Sequence, residues 1–426
     1  MRHGRLNRGH SASLLTCVVA AAVLMSSCGG SGGGGDGGDE ILPLWVPTDV
    51  AVVDLNGDGR NDVLTLKHVI LSETRREGRL QVWLQTGAGT FAPPETYVVG
   101  IYPWRFALGD VNSDGALDIV VADPDADAAW VLLQASGRTG RFDSPRQVVD
   151  QVSTDEAYVA DLNGDDAADI VIDDSARASN RLVVLLQNSS MPGSFAPPMD
   201  IPMSGTTGGV TAADVDANGF ADLLSWEYTT GGDHTPQGEL AVIWQRGGEL
   251  GSVTALPRQT GVNVRRLAIL DYDGDGRQDL FAYFTPWSAD YRAMLTVVLQ
   301  TGTVGSFAAP VTTSLGDIRG IDDAVFADLN DDGRPDAAVA GFFPVGSPSR
   351  VESRVNLFIQ VGGGAFAPSA MIEAPSGTSR ITAGDVDADG RTDLVILAGE
   401  EQGVRCLVLV QSHGAPGEFA APRPLG

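Results

Sequence analysis

One acidic nine-residue pattern, D-x-[DN]-x-[DN]-G-x-x-D, recurs seven times in this chain at intervals of 51 to 57 residues. Its first, third, fifth and ninth positions are Asp54, Asn56, Asp58 and Asp62 in the first copy, and Asp110, Asn112, Asp114 and Asp118 in the second. Asp161, Asn163, Asp165 and Asp169 follow, then Asp214, Asp216, Asn218 and Asp222, then Asp271, Asp273, Asp275 and Asp279. The last two sets are Asp328, Asn330, Asp332 and Asp336, and Asp385, Asp387, Asp389 and Asp393. A repeat of this length restricts the chain to a solenoid, an array or a propeller.

The flanks of the motif decide among these. A short apolar segment precedes each acidic loop, as in Val50-Ala51-Val52-Val53, and another follows it, as in Leu394-Val395-Ile396-Leu397. A third ends in a recurring glutamine, as in Leu80 to Gln85 and Leu182 to Gln187. Runs of four to six residues rich in Val, Leu and Ile, bounded by Gly, Asp and Pro, read as buried strands. A Gly-rich turn then leads to Phe-Ala-Pro or a near variant, at Phe91, Phe195, Phe366 and Phe419, and to a fourth, more polar strand. The expected fold is therefore all-β, a seven-bladed β-propeller of four-stranded antiparallel blades over residues 41–426. Small residues such as Gly109, Ala160, Ala213, Ala327 and Gly384 end the strand before the motif, as expected where seven innermost strands crowd an axis. Distinct polar caps, which a linear solenoid needs, are not evident. The segment Ile41 to Trp45 is expected to complete or abut the last blade and so close the ring.

The loop spacing brings the side chains at positions one, three, five and nine toward one centre. The carbonyl at position seven adds an oxygen, and glycine at six permits the sharp turn. All-oxygen ligation with three or four carboxylates suits a hard divalent cation and favours calcium over magnesium. An EF-hand is excluded, because its twelfth position needs Glu, whereas Thr65, Val121, Ile172, Ser225, Ala282, Val339 and Ile396 stand there between strands. About five to seven structural calcium ions per chain are expected from the number of loops with intact ligands.

With these residues in view, the chain resembles the FG-GAP or VCBS repeat family of calcium-loop propellers, to which integrin α head domains are related. The resemblance runs from about residue 45 to the C-terminus and implies that each metal loop joins the first two strands of a blade and is mainly structural. The third copy departs from the pattern with Asp166 at position six, and the fourth has Asn218 and no carboxylate at position five, so both are expected to bind a cation less tightly. The formal charge of -27 argues against binding nucleic acid, or an anionic membrane, through a basic patch. Much of this charge sits in the motifs, where self-repulsion opposes folding unless cations bind.

Residues 1–27 read as a secretory signal: Arg2, Arg5 and Arg8 precede an apolar run from Leu14 to Met25. The run ends at Leu24-Met25-Ser26-Ser27-Cys28, which resembles a bacterial lipoprotein signal and implies lipidation of Cys28. Residues 28–40 then form the lipidated cysteine and a Gly-rich tether. This order predicts a lipoprotein of the bacterial cell envelope, on the outer membrane, contacting membrane only through its N-terminal lipid. Cys406, in an apolar strand, is expected to be a core residue and not a nucleophile.

A ligand surface is expected opposite the metal loops. From the motif's last Asp to the recurring Gln the distance varies from 16 to 24 residues, whereas from that Gln to the next motif it stays at 25 to 28. Length variation thus concentrates on the connections away from the metals. Those connections carry Arg75, Arg76, Tyr228, His234, Trp287, Tyr291 and Arg292, and the link between blades one and two adds Tyr102 and Trp104. Such aromatic and basic groups suit a carbohydrate or a protein. No catalytic signature of the nucleophile-elbow, zincin or phosphate-loop kind is present, so the chain reads as a binding protein more than an enzyme. A polysaccharide-cleaving lyase and a purely architectural envelope component are the alternatives.

Overall fold

Each acidic loop joins two antiparallel strands, and seven such hairpins organise the chain. The computed structural model describes residues 44–425 apart from 73–74, 138, 155, 175–179, 231–235, 248, 256–258, 261, 287–292, 304, 319, 346 and 401–402. The first strands of blades 1 to 7 are Leu44–Val53, Arg105–Gly109, Ala157–Ala160, Thr206–Ala213, Val262–Leu270, Gly320–Ala327 and Thr378–Gly384. The second strands, which begin at position nine of the motif, are Asp62–Ile70, Asp118–Asp123, Asp169–Asp174, Asp222–Thr230, Asp279–Pro286, Asp336–Val345 and Asp393–Glu400. Third strands run over Arg76–Trp83, Ala128–Leu132, Arg181–Leu185, Pro236–Arg246, Met294–Val298, Ser347–Gly362 and Gly403–Leu409. Fourth strands run over Glu95–Val98, Arg146–Asp150, Met199–Pro202, Glu249–Ala255, Val311–Ser314, Ala365–Glu373 and Arg423–Pro424. Each set pairs antiparallel in the order first, second, third, fourth, and Gln259–Thr260 adds a short fifth piece to blade 4. No helix occurs among the described residues.

The second strands explain why the blades stack. Asp118–Asp123 and Asp169–Asp174 are buried along their whole length, with alternate residues serving opposite sides. Val120 and Ala122 pack with Ile170 and Ile172 of blade 3, whereas Ile119 and Val121 pack with Leu64 and Leu66 of blade 1. Every seam has such a cluster, and the seventh joins Val50 and Val63 of blade 1 to Val386, Val395 and Leu397 of blade 7. The core is thus seven sandwiches between adjacent sheets, and the chain is a closed seven-bladed propeller. Fourth strands are the exposed edge, as in the pattern of Glu95–Val98.

First strands of successive blades contact one another around the whole ring. The small residues at their ends are required by that crowding. A Cβ on Gly109 would stand 2.3 Å from Val159 of blade 3, and one on Gly384 2.5 Å from Val52 of blade 1. Toward the other end of these strands the residue five before the motif supplies polar contacts between blades at Asp49, Arg105, Glu156, Asp323 and Arg380. The seven residues at this position are Asp49, Arg105, Glu156, Gly209, Arg266, Asp323 and Arg380 in order around the ring, acids and arginines alternating except at Gly209. Asp49 Oδ2 accepts the backbone N–H of Phe106 at 3.1 Å, Glu156 Oε2 that of Val210 at 3.3 Å, and Asp323 Oδ2 that of Ile381 at 3.2 Å. Each acid therefore ties its own blade to the next, and Arg105 lies 3.7 Å from Asp49 and 3.8 Å from Glu156. Gly209 leaves room for the longer Glu156, whose Oε2 would be 2.5 Å from a Cβ there.

The N-terminal segment abuts the last blade without completing it. Leu44 and Trp45 pair with Ile70 and Val69 inside blade 1, and blade 7 obtains its fourth strand from Arg423–Pro424. Closure rests on packing and on side-chain hydrogen bonds across the seam, from Arg380 Nε to the carbonyl of Thr48, from Asn61 Nδ2 to that of Asp385 and from Gln85 Nε2 to that of Val386, because blade 1 already has four strands of its own. Ile41 to Pro43 lie outside the described residues. Replacing Gly384 by Val should destabilise the propeller by about 1–3 kcal/mol, the usual cost of overpacking, measured by denaturant unfolding. An unchanged midpoint would mean that the first strands are not in close contact.

Candidate metal centres and the opposite face

The seven acidic loops fold onto their first aspartate. In the first loop Asp54 Oδ1 accepts the N–H groups of Gly57 at 2.7 Å and Asp58 at 3.1 Å, and Oδ2 accepts that of Gly59 at 2.8 Å. Bonds from positions five and six to the first aspartate recur in every loop, as at Asp385, where Asp389 and Gly390 donate. Position five in turn accepts the N–H of position seven, Asp58 from Arg60 at 2.9 Å and Asn218 from Phe220 at 2.8 Å. Position six has positive φ throughout, including Asp166 at 63°, which takes the left-handed conformation and still donates to Asp161 at 2.9 Å. Position four is also left-handed in all seven loops, and there Ser113, Ala217, Asp331 and Ala388 pay a steric cost that glycine avoids.

Position nine has a second task that its place in the motif does not reveal. Asp118 is fully buried, and its two oxygens accept the N–H of Val111 at 3.0 Å and of Gln134 at 2.7 Å. The same fork recurs at Asp62, Asp169, Asp222, Asp279, Asp336 and Asp393, each joining the second residue of the loop to the recurring glutamine at the end of the third strand. The glutamine side chain continues the link across the seam. Gln134 Nε2 donates to the carbonyl of Leu55 in blade 1 at 3.2 Å, and Gln300 Nε2 to that of Val215 in blade 4 at 2.7 Å. Gln360 and Gln411 reach Tyr272 and Leu329 likewise, and Gln85 closes the ring by donating to Val386 of blade 7. Gln187 instead accepts from Ser113 of blade 2, and the buried amide of Gln245 makes no side-chain hydrogen bond. The recurring glutamine was visible in sequence, but its partner lies about 80 residues upstream, or about 300 downstream where the ring closes, so spacing could not assign it.

The donor set fits a hard cation. Asp214, Asp216 and Asp222 offer oxygens within 4.8 Å of one another, as do Asp271, Asp273 and Asp279, and Asp385, Asp387 and Asp393. These are positions one, three and nine of the three loops that have Asp at position three. Asp216 Oδ1 and Asp387 Oδ1 are buried without a hydrogen-bond partner, the arrangement expected of oxygens aimed at an ion. Burial pushes the position-nine carboxyls up, Asp118 to about 7 and Asp169, Asp336 and Asp393 to about 6, against the lowering by their backbone donors. Neighbouring motif carboxylates add to the rise, Asp114 and Asp110 around Asp118. Burial likewise raises Asp62, Asp222 and Asp279. A divalent cation relieves both the burial and the mutual repulsion.

Strand direction places the loops joining second and third strands opposite the metal loops. There the structure brings together three of the residues that sequence suggested. The Arg76 guanidinium lies 5.2 Å from the Tyr102 ring centre and pairs with Asp125 at 3.1 Å, and Trp104 stands 5.9 Å from Tyr102. His68, which sequence reasoning did not select, stacks on Tyr102 at 3.6 Å, fully buried and held neutral because burial lowers it to about 3. Buried Asp123 holds this turn by accepting from the backbone of Ile101, Tyr102 and Ala126. Arg75 stays 72% exposed beside the cluster. Tyr228 belongs to a strand whose side chain there is not described, and His234, Trp287, Tyr291 and Arg292 lie outside the described residues, as does Cys28. Cys406 is a free thiol, half-buried against the cluster between blades 7 and 1 and not within it, and burial pushes it up to about 12.

The chain is therefore a β-propeller, and its first acidic repeats resemble a known repeat family. A family model described as FG-GAP-like repeat matches residues 54–121 and 110–172. Integrin alpha-PS3 of Drosophila melanogaster is 31% identical over 116 residues, 24% of this chain and 10% of that protein, so the chain spans about a tenth of the length of this relative. Among solved structures, the Dos1 propeller aligns over 85% of this chain and 95% of its own with a TM-score of 0.45 and 10% identity.

Two outcomes separate the roles of the loop positions. Asp118→Ala strands two buried N–H groups and should cost about 2–5 kcal/mol with or without a cation. Asp114→Ala should cost stability chiefly when calcium is present, since it removes an outer carboxylate. Equal losses in chelator would refute that division. The second outcome concerns pH. Because the folded carboxyls titrate above the ordinary aspartate value of 3.8, the metal-free folded state holds protons that the unfolded chain has released. Metal-free stability should therefore fall as pH rises from about 4 to 7, and saturating calcium should flatten that fall, as seen by thermal unfolding in chelator and in calcium.

Proposed function

We propose that this protein is a calcium-stabilised binding propeller, anchored to the bacterial envelope by a lipid on Cys28, that takes carbohydrate or protein on the face opposite its metal loops. The observation that carries this reading is the convergence of three carboxylates at positions one, three and nine in loops 4, 5 and 7, two of these groups with an orphaned buried oxygen. Oxygen-only donors on a flexible loop favour calcium over magnesium, which demands near-octahedral geometry. Cations so placed rigidify one rim of every blade and leave the opposite loops free to vary. The resemblance to an integrin α-subunit supports a role in binding or adhesion. That similarity reaches a tenth of the relative, so the role is carried here by the face itself: the Arg76, Tyr102 and Trp104 cluster, and the blade 4 and 5 connections with Tyr228, His234, Trp287, Tyr291 and Arg292.

Thermal unfolding of residues 39–426 across a calcium titration, with bound ions counted by metal analysis, tests the metal. A large rise in Tm with about five to seven ions per chain is expected. No bound calcium and no shift would show the loops to be bare turns and remove the basis for assigning the free face. The ligand face is tested on a glycan array, where Trp287→Ala combined with Tyr291→Ala should abolish binding with Tm unchanged.

A further inference from the structure

The rim of blade 1 farthest from its metal loop gathers cations and aromatic rings. Trp45, the second residue of the first strand, has Lys67 Nζ 4.7 Å and the Arg79 guanidinium 5.0 Å from its ring centre. Arg75 and Arg76 lie at the turn into the third strand, with side chains 72% and 41% exposed. Glu77 and Asp125 are the acids that pair with these four cations among the described residues, and the charge of buried Asp123 is taken up by backbone donors. Lys67 has a neutral partner, Gln81 Oε1 at 2.6 Å, and burial together with Arg79 lowers it to about 8.

We infer that this surface of blade 1 is where the propeller docks on a bilayer of anionic phospholipid, its arginines taking phosphate groups. The inference rests on the envelope-anchored reading above, and three observations favour a bilayer over other anions. First, the chain enters the fold on this rim at Leu44, sixteen residues after Cys28. On the envelope-anchored reading, a lipid on Cys28 would keep this rim within a short length of chain from the membrane. Second, the rings are already engaged, by cations and by the neutral His68. Trp45 faces Lys67 and Arg79, and Tyr102 faces His68 and Arg76, so what the surface presents is not an open platform for a neutral sugar. Guanidinium forks match phosphate oxygens, and Trp and Tyr have an apolar body with a polar tip suited to the headgroup layer. Third, the acidic motifs stand at the other end of the blade. The nine-residue strand Asp62–Ile70 spans about 30 Å, roughly three Debye lengths at physiological salt, so the overall charge of -27 does not cancel the local attraction.

The test uses the chain from Asp39 onward, which contains every strand of the fold and lacks Cys28, so its result is independent of whether Cys28 is lipidated. Co-sedimentation with vesicles of phosphatidylglycerol and phosphatidylcholine is compared with pure phosphatidylcholine, at low and high salt. Binding to the anionic vesicles alone, lost at high salt, is expected. Arg75→Ala with Arg76→Ala should weaken it at least tenfold at unchanged Tm, whereas Arg354→Ala on blade 6 should leave it intact. Equal binding to both vesicles, no binding, or indifference to the Arg75 and Arg76 changes would overturn the proposal. Retention on heparin without vesicle binding would also overturn it and assign the surface to an acidic glycan. The anchor itself is read separately, by palmitate labelling of the full chain and of Cys28→Ser. Loss of labelling in both would sink the envelope reading and leave the vesicle result standing.

Discussion

A buried carboxylate that accepts two backbone N–H groups holds each blade of this protein together. The aspartate at position nine of the motif has no exposure, yet it is hydrogen-bonded on both oxygens, which offsets part of the cost of burying it. One bond fixes the acidic loop and the other fixes the end of the third strand. In five of the seven blades the carbonyl of the same loop residue receives the glutamine of the following blade, as Leu55 receives Gln134. These short polar links run along the metal-side rim, interrupted where the Gln245 amide makes none, and the apolar seams between sheets lie beneath them.

This arrangement explains why one residue type serves two ends. A position-nine aspartate without a cation is an acid under strain, its carboxyl raised by burial and by its neighbours. A divalent cation bound there would relieve both, and metal binding and blade geometry would then be coupled through a single side chain.

The opposite rim obeys different physics. Its connections carry no repeated ligand set, and its order comes from individual contacts: Asp123 on the turn before blade 2, Arg181 bridging Asp174 and Asp200 in blade 3, and Ser204 on Glu227 in blade 4. Free of the metal spacing, these loops are where length and chemistry differ from blade to blade. The ion pairs near the axis sit toward this rim as well, with Arg380 held by the carbonyl of Thr48 and by the fields of Asp323 and Asp49.

Most of the fold was legible in sequence because it is repeated. Seven copies of one ligand spacing, with apolar runs of strand length on both sides, specify seven hairpins, and glycines such as Gly109 and Gly384 mark where innermost strands meet. What repetition cannot express is a contact between repeats. The partner of Gln85 is 301 residues away in Val386, and the stack of Tyr102 on His68 joins a linker to the second strand of blade 1, six residues beyond the motif. Alternation of Asp49, Arg105 and Glu156 gains meaning only when the first strands stand side by side. The sequence by itself determined the strands, their number and the donors for a cation, because those depend on local spacing. Tertiary structure alone decided how the ring closes and which basic and aromatic groups share a surface, because these depend on distances that only the closed ring makes short.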